Sequence, residues 1–251
     1  MDKIFMLTPM SKYRPVKIFA LYTLLSWASA VTAQEDLIRK ALSERMPKFP
    51  KIDEINKGPM GLYELRVGAD IFYTDEAANY IFQGQIIDTR QRVNLTQERL
   101  TKITAQLFSN LPISDLIIWK QGSGSRKMIV FSDPNCAYCR RLERDIQQLK
   151  DVTVYTVALP VLGPDSKEKS KNILCAKDRT KAWLDWMINS TIPLRSFSNC
   201  DNMAIDRNLM LGQKYKINAT PSIIFEDGKQ VSMAMSREEL ENQLTESSRS
   251  R

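Results

Sequence analysis

Histidine is absent from all 251 residues, and that absence excludes more chemistry than any residue present adds. A Ser-His-Asp or Cys-His nucleophile pair, a His-ligated zinc and a histidine pH switch are all ruled out. Chemistry is left to Cys, carboxylates, Lys, Tyr or a bound cofactor. Long apolar runs are missing too: the stretch from Ile18 to Trp27 is about ten residues, too short to span a bilayer as a helix. Cysteine is scarce, at four residues. What is there is a globular balance, 43% apolar against 26% charged, over a length sufficient for one large or two small domains.

Lys12, Arg14 and Lys17, then Ile18 to Trp27, then small residues, form the pattern of a secretory signal peptide over residues 1–33. Cleavage is expected after Val31-Thr32-Ala33 rather than Ala28-Ser29-Ala30, because the polar Gln34-Glu35 pair follows. An uncleaved anchor is the competing reading, and Met10 is an alternative start. Removing residues 1–33 takes away four basic residues and one acidic residue, and the net charge falls from +7 to +4. Lys and Arg are spread among acids rather than gathered on one face, which argues against nucleic-acid binding. Export implies an oxidising compartment, and an even number of cysteines fits it.

Residues 34–94 read as an amphipathic helix followed by short extended runs at Leu62–Val67, Ile71–Thr74, Tyr80–Gln83 and Gln85–Ile87, with Gly68 and Gly84 at turns. About fifty-five residues make a marginal core alone, so this unit is a candidate for pairing with a second copy. Residues 95–124 read as a linker: Thr96 caps a helix with the apolar stripe Leu100, Ile103, Leu107 and Leu111, and Gln121-Gly122-Ser123-Gly124-Ser125 forms a flexible loop ahead of the second domain. Residues 125–251 run as strand Lys127–Phe131, helix from Cys136 to about Leu149, strand Thr153–Ala158, a helix-rich stretch Asp165–Met210 broken near Pro193, strand Ser222–Phe225, turn Asp227-Gly228, strand Lys229–Met233 and a helix from Arg237. The strand-helix-strand start implies a parallel pair with a right-handed crossover. The fold class is therefore an α+β N-terminal domain, a linker helix and an α/β thioredoxin-like domain with a helical insertion.

Cys136-Ala137-Tyr138-Cys139 is the sharpest chemical signal. It lies where strand gives way to helix, so first-turn amides and the helix dipole point at Cys136 and favour its thiolate. Cys139, one turn further, is placed to attack a mixed disulfide on Cys136. Arg140 is a candidate for extra positive potential, weighed against an ordinary solvated arginine. Half a zinc site and a structural disulfide within the motif are the competing readings: the first lacks partner ligands, and the second closes too short a loop to remove much chain entropy. Cys175 and Cys200 enclose 24 residues. A bridge there contributes on the order of 3 kcal/mol in the chain-entropy model, although four cysteines allow three connectivities. Thr220-Pro221 precedes the strand Ser222–Phe225, and a cis proline is favoured there over an ordinary trans one, with the Thr220 backbone left to pair with an extended substrate beside Cys136.

Phe131-Ser132-Asp133-Pro134-Asn135-Cys136-Ala137-Tyr138-Cys139, Leu174-Cys175-Ala176-Lys177-Asp178 with Lys181-Ala182-Trp183, and Thr220-Pro221 together resemble the periplasmic thiol:disulfide interchange proteins of the DsbC and DsbG family. Tyr73-Thr74-Asp75 and Gln83-Gly84 resemble that family's dimerisation domain more weakly. The resemblance implies a V-shaped homodimer with two thioredoxin domains facing an open cleft, Cys136 as attacking thiolate and Cys139 as resolving thiol. It further implies a structural Cys175–Cys200 bridge, substrate contact at Thr220 and Pro221 with Ala137 and Tyr138 between the cysteines, a periplasmic location, and a membrane thiol reductase (DsbD-like) that keeps the site reduced. Rearrangement of wrong disulfides in exported proteins and holdase activity are part of the same expectation. Ala137 stands where the family most often has Gly, and residues between the cysteines influence redox potential.

The expected chemistry needs no metal and no organic cofactor. A net oxidant, a dedicated reductase and a non-redox holdase are the competing functions. Trp183 and Trp186 read as core packing. Asn94-Leu95-Thr96, Asn189-Ser190-Thr191 and Asn218-Ala219-Thr220 match the glycosylation pattern, which the bacterial resemblance sets aside.

Overall fold

The structure, a computed structural model, describes residues 33–195, 200–201 and 203–249. The expected signal segment, apart from Ala33, lies outside the described residues. The chain divides into two compact units: one carries an N-terminal helix and most of a four-stranded sheet, up to Leu65 and over Phe72–Phe82, and the other holds Arg66–Ile71 and everything from Gln83 onward.

In the first unit, α1 (residues 33–45) presents Ile38 and Leu42 inward. The sheet order is β1 (Glu54–Lys57), β2 (Tyr63–Val67), β3 (Asp70–Thr74), β4 (Ile81–Phe82). Ile55, Tyr63, Leu65 and Tyr73 are buried beneath it, and Phe49 meets Phe72 edge-on at 5.3 Å between ring centroids. Gly68 turns β2 into β3 with a φ of +61°, a left-handed conformation that glycine adopts without steric cost. β1 is absent from the sequence expectation because Glu-Ile-Asn-Lys holds a single strong apolar residue. The run expected at Gln85–Ile87 does not join this sheet. β5 (Ile87–Asp88) instead pairs antiparallel with β6 (Val93–Asn94), its turn held by Asp88 Oδ1, which accepts from the amides of Arg90 and Gln91.

α2 (Leu95–Ala105) is capped two residues earlier than expected: the Asn94 side chain accepts from the Gln97 amide at 2.9 Å, while Thr96 Oγ1 accepts from the Ile86 amide. The helix is more than a connector. Gly228, φ +89°, packs so closely against it that an added Cβ there collides with the Thr101 carbonyl.

The second sheet has the order β11-β10-β8-β9-β7, from β7 (Ile117–Gln121), β8 (Arg126–Ser132), β9 (Val152–Ala158), β10 (Ser222–Phe225) and β11 (Gln230–Val231). β8 and β9 run parallel, as the crossover rule demands, while β7 and β10 run antiparallel to their neighbours. Gln121–Ser125 is therefore not a loop ahead of this domain but the β7-β8 turn inside it, pinned where the Ser123 amide donates to Asp151 Oδ1. β8 is central and covered on both faces, which explains its uninterrupted Met128-Ile129-Val130-Phe131 run. α3 (Ala137–Ile146), α4 (Pro164–Leu174), α5 (Arg179–Asn189), α6 (Ala204–Lys214) and α7 (Arg237–Arg249) complete the layers. Among the described residues, no helix is long and apolar enough to cross a membrane.

Candidate functional site

β8 ends at Ser132, and Asp133-Pro134-Asn135 carries the chain into α3. Cys136 is the N-cap of that helix: its own amide donates to the Asp133 carbonyl at 3.1 Å, and its Sγ accepts from the Cys139 amide at 3.3 Å. Negative charge on this sulfur therefore meets a first-turn N–H and the positive end of α3. Sγ also reaches the Thr220 carbonyl at 3.4 Å, which brings the two expected halves of the site together, and the Thr220-Pro221 peptide bond is cis. Cys136 and Cys139 are free thiols, 6% and 1% exposed. Tyr138 between them is 68% exposed, and Ala137 is exposed as well.

The two thiols differ in environment. Burial pushes the Cys139 thiol up to about 12, and the hydrogen bond with the Cys136 thiol acts in the same sense, against the Ser132 hydroxyl and the Asp133 amide. Cys139 is thus a protonated group at neutral pH.

Trp183 and Trp186 pack in the cluster that holds both cysteines, as core residues, but each also carries a polar tie. Trp186 Nε1 donates to the Pro134 carbonyl at 2.7 Å, which fixes the turn ahead of Cys136. The Arg140 guanidinium lies 4.3 Å from the Trp186 ring centroid and donates to Ser190 Oγ, while Lys169 Nζ lies 4.6 Å from the same centroid. Trp183 Nε1 donates to Glu143 Oε2 at 2.9 Å. Burial raises the Glu143 carboxyl above the ordinary range, opposed by Trp183 and Gln147.

Sequence reasoning assigned no role to Asp133 or Glu143. Asp133 is wholly buried and its carboxylate binds three separate groups. The signal for Glu143 was its spacing: it is four residues after Cys139, so it falls on the inward face of α3, where a carboxylate is out of place.

Cys175 and Cys200 are bonded, with Cα atoms 5.6 Å apart, in the helical insertion between β9 and β10. That pairing is one of the three the cysteine count allows, and it leaves the helix-cap pair free.

A reduced Cys-x-x-Cys pair capping a helix on a thioredoxin sheet, with a cis proline at the first sulfur, defines a thiol:disulfide oxidoreductase. The comparisons with known proteins agree along the chain. Residues 114–247 match a family model described as a thioredoxin-like domain, and residues 29–97 one described as the disulfide bond isomerase protein N-terminal domain. The "Probable thiol:disulfide interchange protein DsbC" of Bordetella pertussis is 37% identical over 217 residues, covering 86% of this chain and 76% of that protein. The Escherichia coli K12 "Thiol:disulfide interchange protein DsbC" is 28% identical over 220 residues, covering 84% and 88%. A crystal structure of a disulfide interchange protein from Neisseria gonorrhoeae superposes with a TM-score of 0.51 at 34% identity, covering 55% of this chain and 99% of that one. The chain belongs to the DsbC family of thiol:disulfide interchange proteins.

Proposed function

We propose that this enzyme isomerises and reduces non-native disulfides in exported proteins, with Cys136 as the attacking thiolate and Cys139 as the resolving thiol. The Cys136 thiolate attacks one sulfur of a client disulfide. A Cys136–client disulfide forms, the client's own S–S bond breaks, and the second client sulfur leaves as a thiolate. In isomerisation another client thiolate then attacks the mixed disulfide, a new client pairing forms and Cys136 is released. In reduction Cys139 loses its proton and attacks Cys136 Sγ. The client leaves with both sulfurs reduced, and the protein holds a Cys136–Cys139 disulfide. Return to the dithiol takes two electrons, supplied in this reading by a membrane thiol reductase of the DsbD type.

The observation that carries the assignment is the asymmetry at the helix cap. Cys136 Sγ accepts from the Cys139 amide at 3.3 Å at the helix N-terminus and its thiol donates to the Thr220 carbonyl at 3.4 Å beside the cis proline, whereas Cys139 sits fully enclosed one turn below. Thr220 and Pro221, with Ala137 and Tyr138, are proposed to contact the client, and the Cys175–Cys200 bridge is proposed to be structural. The wider setting belongs to the same proposal: a periplasmic homodimer joined through the N-terminal sheets, which also shields unfolded chains. The domain limits are proposed as 34–94 for dimerisation, 95–124 for the link and 125–251 for catalysis, with β7 at the end of the link completing the catalytic sheet.

The test is refolding of a scrambled disulfide protein in a glutathione buffer by residues 34–251, with Cys136→Ser alongside. The expected result is recovery by the unaltered chain and none by the variant. No recovery by either protein, with aggregation suppressed by both, overturns the isomerase reading in favour of a holdase. A net oxidant is recognised by a more oxidising potential of the Cys136–Cys139 couple.

A further inference from the structure

The Asp133 carboxylate is wholly buried, and the partners it holds are neutral donors. Oδ1 accepts from the Asn135 amide at 2.8 Å and from Ser166 Oγ at 2.7 Å, and Oδ2 accepts from the Leu162 amide at 2.9 Å. Its backbone carbonyl holds the Cys136 amide at 3.1 Å. One residue thus ties three segments: the turn that carries Cys136, the loop after β9, and the first turn of α4. Burying a carboxylate costs free energy unless every oxygen is satisfied, so these bonds hold the segments in one arrangement.

The loop after β9 is built to present side chains. Leu159 is buried and its amide donates to the Ser132 carbonyl at 2.9 Å; the Val161 amide then turns back on the Leu159 carbonyl at 3.0 Å. Pro160 and Pro164 bracket the turn, and Gly163 supplies a φ of +115°. Between them Val161 and Leu162 stand 51% and 58% exposed. An exposed apolar pair on a stiffened loop is thus tied, through Asp133, to the turn that carries the reacting thiol.

We propose that Val161 and Leu162 form a client-contacting element that takes an apolar side chain flanking the client's disulfide, and that Asp133 is the residue positioning this element beside Cys136. The proposal rests on the reading that Cys136 attacks client disulfides. It adds a preference for the apolar, unfolded segments that misbonded proteins expose over small polar disulfides.

The experiment compares the unaltered chain with Val161→Ser/Leu162→Ser, Asp133→Asn and the triple variant. Two substrates are used: scrambled ribonuclease, and a small aromatic disulfide reagent that reaches the thiol without touching the loop. For Val161→Ser/Leu162→Ser, KM for scrambled ribonuclease should rise about five- to tenfold, the loss of about one kcal/mol or slightly more of apolar contact, with kcat within twofold. The rate with the small disulfide should hold. Asp133→Asn should raise KM in the same sense, because its single amide oxygen cannot serve both the Leu162 and the Asn135 N–H, and the NH2 group faces one of them donor to donor. The triple variant should add little to either, since both act through one loop. An unchanged KM in the double variant, or an equal loss with both substrates, overturns the proposal. Both loop side chains project from the surface, so the double variant carries the test even if Asp133→Asn fails to fold. Lack of unscrambling by the unaltered chain is a separate result, the failure of the isomerase reading itself.

Discussion

The second unit holds two cysteine pairs that share a compartment and a fold but differ in nearly every physical respect. Cys136 and Cys139 are three residues apart at the cap of a helix, unbonded, with an amide and a carbonyl aimed at the first sulfur. Cys175 and Cys200 are twenty-five apart in an insertion, and bonded. Short spacing at a helix N-terminus leaves little chain entropy for a bond to remove and sets the first sulfur against a first-turn amide, so the pair is suited to exchange. Long spacing gives a bond a large entropic effect on the unfolded state, so the pair is suited to permanence. The difference lies in what the backbone offers each sulfur.

Breaking the comparison from the first side should have the largest effect. Cys136→Ser is expected to reduce shuffling of a scrambled client to the uncatalysed background. Cys139→Ser should retain isomerisation in part while accumulating mixed disulfides, visible as a client adduct on a non-reducing gel. Neither change should lower the melting temperature by more than a degree or two, because the pair is unbonded in the structure described.

From the other side, Cys175→Ser with Cys200→Ser should cost on the order of 3 kcal/mol of unfolding free energy, the entropic contribution of a loop of this length. Denaturant unfolding checks it, and the thiol exchange rate of Cys136 at low denaturant should stay near that of the unaltered chain. A double variant that unfolds like its parent but has lost exchange would reverse the roles of the two pairs.

Much of this contrast was legible before any coordinates. The Cys-x-x-Cys spacing at a strand-helix junction, Thr220-Pro221 ahead of a strand, and the alternation of β8, α3 and β9 are local patterns whose physics is local. The details that went astray depended on partners distant in sequence. β7 pairs with β9 across more than thirty residues, so nothing near Gln121 marks it as a strand of the same sheet. The cap of α2 moved to Asn94 because Thr96 is engaged by the Ile86 amide. Asp133 and Glu143 stand beside the cysteines in the sequence, yet their partners come from the loop after β9, α4 and α5.

A third prediction sharpens the contrast by pH. Burial holds the Cys139 thiol at about 12 in the folded dithiol form, above its ordinary 9.0. A thiol raised on folding contributes stability that is intact below pH 9 and lost as pH climbs toward 12, because the unfolded chain releases its proton first. Unfolding of the reduced protein should therefore weaken between those values. Cys139→Ser should flatten that dependence, and the Cys175–Cys200 bridge, which does not titrate, should contribute nothing to it.

The smallest expected effect lies beneath the free pair, at Glu143. Its carboxyl is enclosed, with Trp183 Nε1 at 2.9 Å and Gln147 Nε2 at 3.1 Å as its hydrogen-bond donors, and burial raises it above the ordinary carboxylate range. The sign follows from linkage: stability is intact while both states are protonated, and falls once pH passes the ordinary value of 4.5, where the unfolded chain ionises more readily than the folded one. Glu143→Gln keeps an oxygen for Trp183 and removes the charge, so it should raise the melting temperature slightly at pH 7 and leave it unchanged at pH 4. A lower melting temperature at pH 7 would mean that the ionised carboxylate, through Trp183, strengthens the packing of α5 against α3. The charge beneath the cysteines would then be a structural asset rather than a cost carried by the reactive side of the domain.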